Sequence, residues 1–231
     1  MSVSSGPSIV TDGLRVSYDV DNVKCYPGTG TTLFNLNDGE NGTASAIGLA
    51  TDAVAGTVLD HNTSTSITTT FSPAVNHETW SLMTWVRSTG LTTSDYRQVI
   101  YLTMSGGPGY VYILDTRQVS NSYILGYQRD YYINSWLVTA FMNSTQWAEQ
   151  TWWCLGVSHD NTLFRSYRQG ALFSTQTQTR DVAPYTDITN IAINRSGSNT
   201  VYMGPTYFYD RVLTEGEFRQ NFHATRGRFG V

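Results

Sequence analysis

The chain has 231 residues, 40% of them hydrophobic, which is enough for one sizeable core. A net charge of -4 with only 14 scattered Lys and Arg argues against nucleic-acid binding, since neutralising phosphates needs a basic stripe. No apolar run approaches the roughly 18 residues of a spanning helix, and the opening MSVSSGPSIV has neither the basic nor the apolar part of a secretory signal, so no membrane span and no export are expected.

Residues 1–8, rich in Ser, Gly and Pro, read as a flexible N-terminal arm, and 9–231 as a single domain. From Leu14 the apolar series Leu14, Val16, Tyr18, Val20 alternates with polar residues and predicts a half-buried strand. The stretch KCYPGTGTTLFNL, from Lys24 to Leu36, invites comparison with a phosphate loop. However, it lacks the Gly-Lys-Ser/Thr of one pattern and the third glycine and helix of the other. Tyr26-Pro27-Gly28-Thr29 fits a type II turn, in which Pro presets φ and Gly supplies a positive φ.

Short strands are expected next at 57–60, 66–71, 79–87, 97–104, 110–115, 122–128, 136–142, 151–158, 161–167, 171–174, 188–194 and 200–210, divided by turn material such as Asp160-Asn161 and Gln169-Gly170. One helix is expected at 214–224. Thr214 and Glu217 form a capping box, Leu213, Phe218 and Phe222 give an apolar face, and Gly227 ends it. These twelve strands, the one from Leu14 and a terminal helix predict an all-β, two-sheet antiparallel sandwich with one short C-terminal helix.

Catalytic signatures are missing from the sequence. The five glutamates, Glu40, Glu78, Glu149, Glu215 and Glu217, are dispersed and form no Glu-x-Asp-x-Glu strand of the glycosidase kind. There is no Gly-x-Ser-x-Gly elbow, and His61, His77, His159 and His223 stand in separate segments. No catalytic residue and no cofactor are therefore expected. Cys25 and Cys154 form no metal-ligand cluster, and their separation fits either a bridge or two buried thiols. The sequons at Asn41, Asn62, Asn143 and Asn194 read as chance in a Ser/Thr-rich chain.

Three segments resemble the laminin-G-like, concanavalin A-like jelly roll. They are Trp80-Ser-Leu-Met-Thr-Trp-Val-Arg87, the hairpin pair from Gln150 to Leu172, and the closing stretch from Val201 to Phe218 that leads into the helix. The two ends, Gly13 to Leu36 and Gln220 to Gly230, are similar to the opening and closing segments of such proteins in virions of tailed phages. The resemblance implies a concanavalin A-like fold and a non-enzymatic virion protein, a capsid decoration or fibre component assembled in the host cytoplasm. Other virion proteins and further copies of itself would be its partners, with the arm before Ile9 and the tail after Arg226 as docking elements. Laminin-G-like domains often carry calcium, and Asp19-Val20-Asp21-Asn22 clusters oxygen ligands. These are at most three side chains where calcium takes six to eight oxygens, so a solvated Asx turn fits the same residues.

The binding candidate is a belt of aromatics, Tyr110, Tyr112, Tyr123, Tyr127, Tyr131, Tyr132, Trp136 and Trp147, with Asn134, Asn143 and Gln146 nearby. Rings of this kind stack on the C–H faces of sugars while amides read the hydroxyls. Trp147, Asn143, Gln146, Tyr131, Tyr132 and Trp136 are the candidate carbohydrate-binding residues, and host-surface polysaccharide the candidate ligand. Aromatics at period 2 equally suit a sandwich core or a subunit interface. Three readings follow: a virion protein that binds glycans, a purely structural capsid-stabilising protein, and a cell-surface carbohydrate-binding module. In a protein folding in reducing cytoplasm, both cysteines should be thiols. Alkylation in denaturant without reductant should therefore label both, and a mass two protons short of the reduced protein would show a bridge instead.

Overall fold

The alternating segments become two antiparallel sheets in the computed structural model. It describes residues 7–60, 66–89, 97–105, 110–119, 122–125, 128–130, 135–137, 151–161, 163–177, 187–196 and 200–231, with backbone pairing only between 110 and 137. In chain order the strands are β1 (Leu14–Tyr18), β2 (Thr32–Leu33), β3 (Gly42–Ala44), β4 (Leu49–Asp52), β5 (Gly56–Asp60), β6 (Ser66–Asn76), β7 (Thr79–Thr89), β8 (Arg97–Met104) and β9 (Tyr110–Val119). They continue with β10 (Ser122–Leu125), β11 (Gln128–Asp130), β12 (Ser135–Leu137), β13 (Trp153–Asp160), β14 (Leu163–Arg168), β15 (Ala171–Thr177), β16 (Asp187–Ser196) and β17 (Thr200–Tyr209), before the helix α1 (Glu215–Thr225). One sheet of eight strands runs β15-β14-β13-β7-β17-β5-β4, with β1 also paired to β17. The other, of nine, runs β12-β11-β9-β8-β16-β6-β3-β2, with β10 paired to β9. The expected two-sheet sandwich with one C-terminal helix is the fold observed.

Two cores result. Between the sheets lie Val16, Tyr18, Leu33, Ile67, Phe71, Trp80, Leu82, Ile100, Leu102, Ile191, Ile193 and Phe208. On the outward side of the eight-stranded sheet a second cluster, with Trp85, Trp152, Tyr209, Phe218, Phe222 and Phe229, is roofed by the two chain ends. β1 serves both. Its pairing with β17 shifts register between Leu14 and Val16, so Leu14 joins the second cluster while Val16 and Tyr18 join the first. The single buried face expected from Leu14 onward is thus split by a bulge, which re-aims a side chain without changing the sequence alternation.

Turn chemistry follows the sequence. Gly28 has φ of 87°, as the type II turn requires, and Gln169 and Gly170 both have positive φ, at 51° and 77°. The capping box at α1 is complete, with Thr214 accepting from the Glu217 N–H and Glu217 from the Thr214 N–H. Gly227 does not end the helix. The chain runs on as a 3-10 turn, Arg226–Phe229, and the left-handed residue is Gly230 at φ 69°. Three short strands, β2, β3 and β4, were not expected, and the expected segment 122–128 divides into β10 and β11. Of the expected strand 136–142, residues 138–142 lie outside the described residues.

The tail after Arg226 is a structural part of its own domain rather than a free docking element. Phe229 is 3% exposed. Its ring stacks on Trp85 at 4.0 Å and lies 5.0 Å from Trp152. Gly204, at a bulge beside Pro205 in β17, makes room for it, because a Cβ there would come within 2.8 Å of the Phe229 ring. At the other end the Ser8 carbonyl accepts from Gln220 Nε2 and the Val10 N–H donates to Asn221 Oδ1. The two cysteines are free and buried in different cores, Cys25 between the sheets and Cys154 beneath the helix. Burial pushes the Cys25 thiol up to about 11 and raises Cys154 as well, so both stay protonated.

Phe229→Ala should cost about 3–5 kcal/mol, as for other buried aromatics. For a domain of this size that is a melting decrease of about 6–20 °C, readable by calorimetry. A change under about 2 °C would mean the tail is not part of the cooperative unit.

Candidate functional site

The nine-stranded sheet has one face in the core and one turned outward. Ile67, Thr69 and Phe71 of β6, Ile100, Leu102 and Met104 of β8, and Ile191 and Ile193 of β16 point inward and are buried. Their alternates turn outward and form two rows across the sheet. The register joins Thr43, Thr68, Ala192, Tyr101 and Tyr112 in one row, and Thr70, Asn190, Thr103 and Tyr110 in the next. Thr70 is exposed, and Thr68, Thr103, Asn190 and Tyr101 are half-buried. Ala192, small and 1% exposed, lowers the middle of the first row. Among the described residues, Thr68, Thr70, Thr103 and Asn190 do not use their side chains in hydrogen bonds within the chain. The face therefore presents hydroxyl and amide groups at the sheet's own spacing of about 4.8 Å, beside tyrosine positions.

Several carboxylates elsewhere, among the described residues, are engaged in the fold. Asp19 accepts two hydrogen bonds from Arg228 Nη1 at 2.7 Å. The same guanidinium donates to the Ala55 and Thr57 carbonyls, and Asp21 accepts from the Thr57 N–H. At the strand end read as a possible calcium cluster, the positive charge beside Asp19 is thus an arginine. Among the described residues no group of three His, Cys, Asp or Glu is placed to hold a metal. Asp52 is 6% exposed and accepts from the N–H groups of Val54 and Ala55 and from Trp152 Nε1, while Arg87 lies 2.8 Å from its other oxygen. Arg87 in turn sits over the rings of Tyr202 and Trp152. Burial raises the affinity of Asp52 and Glu40 for a proton. Hydrogen bonds from the Val54, Ala55 and Ser72 N–H groups, with the arginines Arg87 and Arg15, outweigh it and leave both below the usual carboxylate range.

Trp136 belongs to β12, opposite Arg129, at the edge of the same nine-stranded sheet that carries the outward rows. Tyr131, Tyr132, Asn143, Gln146 and Trp147 lie outside the described residues. Of the belt, Tyr110 and Tyr112 are register neighbours of Thr103 and Tyr101. Sequence reading passed over the threonine rows, because Thr-rich strands are ordinary in sheets and strand order alone brings Thr68, Asn190 and Thr103 together. Alternation within each segment was the available signal.

No protein-family model and no curated protein sequence matches the chain. Solved structures do. The binding domain of botulinum neurotoxin serotype D superposes with a TM-score of 0.65 at 10% identity, over 92% of this chain and 51% of that one. The Trypanosoma rangeli sialidase in complex with sialic acid gives 0.66 at 13%, over 99% of this chain and 36% of that one. The binding domain of Paraclostridial mosquitocidal protein 1 gives 0.64 at 13%, over 92% and 52%. The chain therefore spans about half the length of the toxin chains, and about a third of the sialidase. At these identities the likeness is one of fold: a β-sandwich shared with binding domains.

Acid should test the engaged carboxylates. Hydrogen bonds from Arg211 hold Glu217 at about 2, against an ordinary value of 4.5. Because the folded value is depressed, the stabilisation is present above the unfolded value and is lost as pH falls from 4.5 toward 2. Glu40 and Asp52 act in the same direction. Melting temperature should fall over that window, and in Glu217→Gln it should be lower at neutral pH and fall less steeply. Parallel curves for the two proteins would contradict this assignment.

Proposed function

We propose that the protein is a non-enzymatic structural component of a tailed-phage virion that uses the outward face of its nine-stranded sheet to hold host-surface glycans. The observation that carries the glycan part is the pair of rows at Thr68, Thr70, Thr103 and Asn190, whose side chains have no internal hydrogen-bond partners among the described residues. Tyr101 flanks them. Sugars offer both hydroxyls to such groups and C–H faces to such rings. The reading has support from outside the chain, since a structure of the same fold is of the botulinum neurotoxin D ligand binding domain in complex with N-acetylneuraminic acid. On this reading Trp136, Trp147, Tyr131, Tyr132, Asn143 and Gln146 are further candidate contacts for the glycan. The non-enzymatic part of the reading is supported by the pairing of Glu40, Asp52, Glu217 and Asp19 with Arg15, Arg87, Arg211 and Arg228. The virion part, with its location and its partners, stands on the resemblance of the two chain ends to laminin-G-like phage proteins.

Two measurements test the parts separately. Mass spectrometry of purified particles should find the protein, and its absence would remove the virion role. Asn190→Ala and Thr103→Ala should each weaken adsorption to host polysaccharide about fivefold, the worth of one hydrogen bond. Melting should stay within about 2 °C, because partly exposed substitutions rarely exceed about 0.5 kcal/mol. Unchanged adsorption in both would leave the capsid-stabilising reading in its place.

A further inference from the structure

We propose that the cleft between the β14–β15 edge and the first turn of α1 is a second saccharide subsite, on the opposite side of the sandwich from the threonine rows. The cleft is open to solvent, has a volume of about 340 Å³ and is lined by Asp160, Arg165, Tyr167, Leu172, Leu213 and Glu215, among others. That size falls within the range of small-molecule sites, about 300–1,000 Å³.

Tyr167 is the observation that points to a ligand. It is 3% exposed, and its ring stacks on Phe218 at 3.8 Å with an interplanar angle of 18°. Among the described residues its hydroxyl makes no hydrogen bond within the chain and is not one of the sealed polar atoms, so a side chain held almost entirely in the core keeps its one polar group open to the cleft it lines. Its position is built from beneath. Tyr167 pairs with Gly156, and a Cβ at Gly156 would come within 2.5 Å of the Phe218 ring. The glycine therefore lets Phe218 seat against the sheet, and Phe218 supports Tyr167.

The rest of the lining selects the ligand's chemistry. Arg165 pairs with Asp160 at 3.3 Å, and Glu215 with Arg219 at 2.9 Å. Each charge is balanced, so the cleft offers donors and acceptors without a net field to favour an ion. Leu172 is 43% exposed and gives the site an apolar wall. A guanidinium, two carboxylates and a phenol around an aliphatic surface match a neutral pyranose, with its ring of hydroxyls and its C–H face. The ligand class is shared with the reading of the threonine rows, but no residue is.

The test is amide shift mapping on the ¹⁵N-labelled full chain, titrated with glucose, galactose, N-acetylglucosamine and methyl α-mannoside at millimolar concentrations. At least one should give saturable shifts at Tyr167, Leu172, Leu213 and Thr214. Tyr167→Phe keeps the stack on Phe218 and removes only the hydroxyl, so it should weaken binding about fivefold to tenfold. Leu172→Glu, at an exposed position, should abolish binding, and unchanged shifts elsewhere would show that each variant is folded. The proposal is overturned if none of the four sugars moves the cleft amides, or if Tyr167→Phe binds like the wild type. Shifts confined to Thr68, Thr103 and Asn190 would also overturn it while upholding the other face, and shifts confined to the cleft would do the reverse.

Discussion

The stack of Phe229 on Trp85 is the contact on which the second core depends. Without it, the sides of Trp85 and Trp152 that it covers and the strand around Gly204 would open to solvent, and an apolar patch of that kind invites association. A lone aromatic near a chain end would fray, however. Arg228 prevents that by gripping Asp19 with two short hydrogen bonds and the carbonyls of Ala55 and Thr57 with two more. Because the guanidinium is planar and its donors are fixed in direction, one residue pins the tail to the β1 end and to the β4–β5 turn together. The helix then seals the rest with Phe218 and Phe222.

Charge is used sparingly and locally in this fold. Acidic groups with depressed proton affinity each meet an arginine, and Arg87 is held between two rings as well as against Asp52. The outward rows of the nine-stranded sheet carry hydroxyls and an amide instead. On the proposed reading this division has a physical basis. A neutral hydrogen-bonding surface gains little from any single sugar, since each bond replaces one to water. Useful adhesion would then come from many copies acting together on a particle, where effective concentration multiplies weak contacts.

The strands rich in β-branched and aromatic residues, such as β6, β7 and β16, were legible in the sequence, as were the capping box at Thr214 and the turn at Gly28. What could not be read was anything set by distant partners. In β4 Leu49 is exposed while Asp52 is buried, the inverse of the usual pattern, because Arg87, Trp152 and two backbone N–H groups await that carboxylate. Arg228 lies 209 residues from Asp19, and no local pattern announces it as a partner. The tail after Arg226 looked like an appendage because Phe229 stands alone between Arg228 and Gly230. The threonine rows and the Tyr167 cleft likewise exist only once strand order is known.

The place of β17 in its sheet bears on how the chain reaches this state. It is next to last in the chain's run of regular elements, yet it lies between β7 on one side and β1 and β5 on the other. Until residues 200–209 are available, the eight-stranded sheet is three unjoined pieces, β15-β14-β13-β7, β5-β4 and β1 alone, each with a raw edge. Closing it requires contacts between residues nearly 200 positions apart, such as Leu14 with Tyr209. Such a topology folds slowly for its size, because loop closure must precede the reward of pairing. During synthesis on the ribosome the first half would wait with open hydrogen-bonding edges, so expression yield should respond to translation speed and to chaperones more than the final stability suggests.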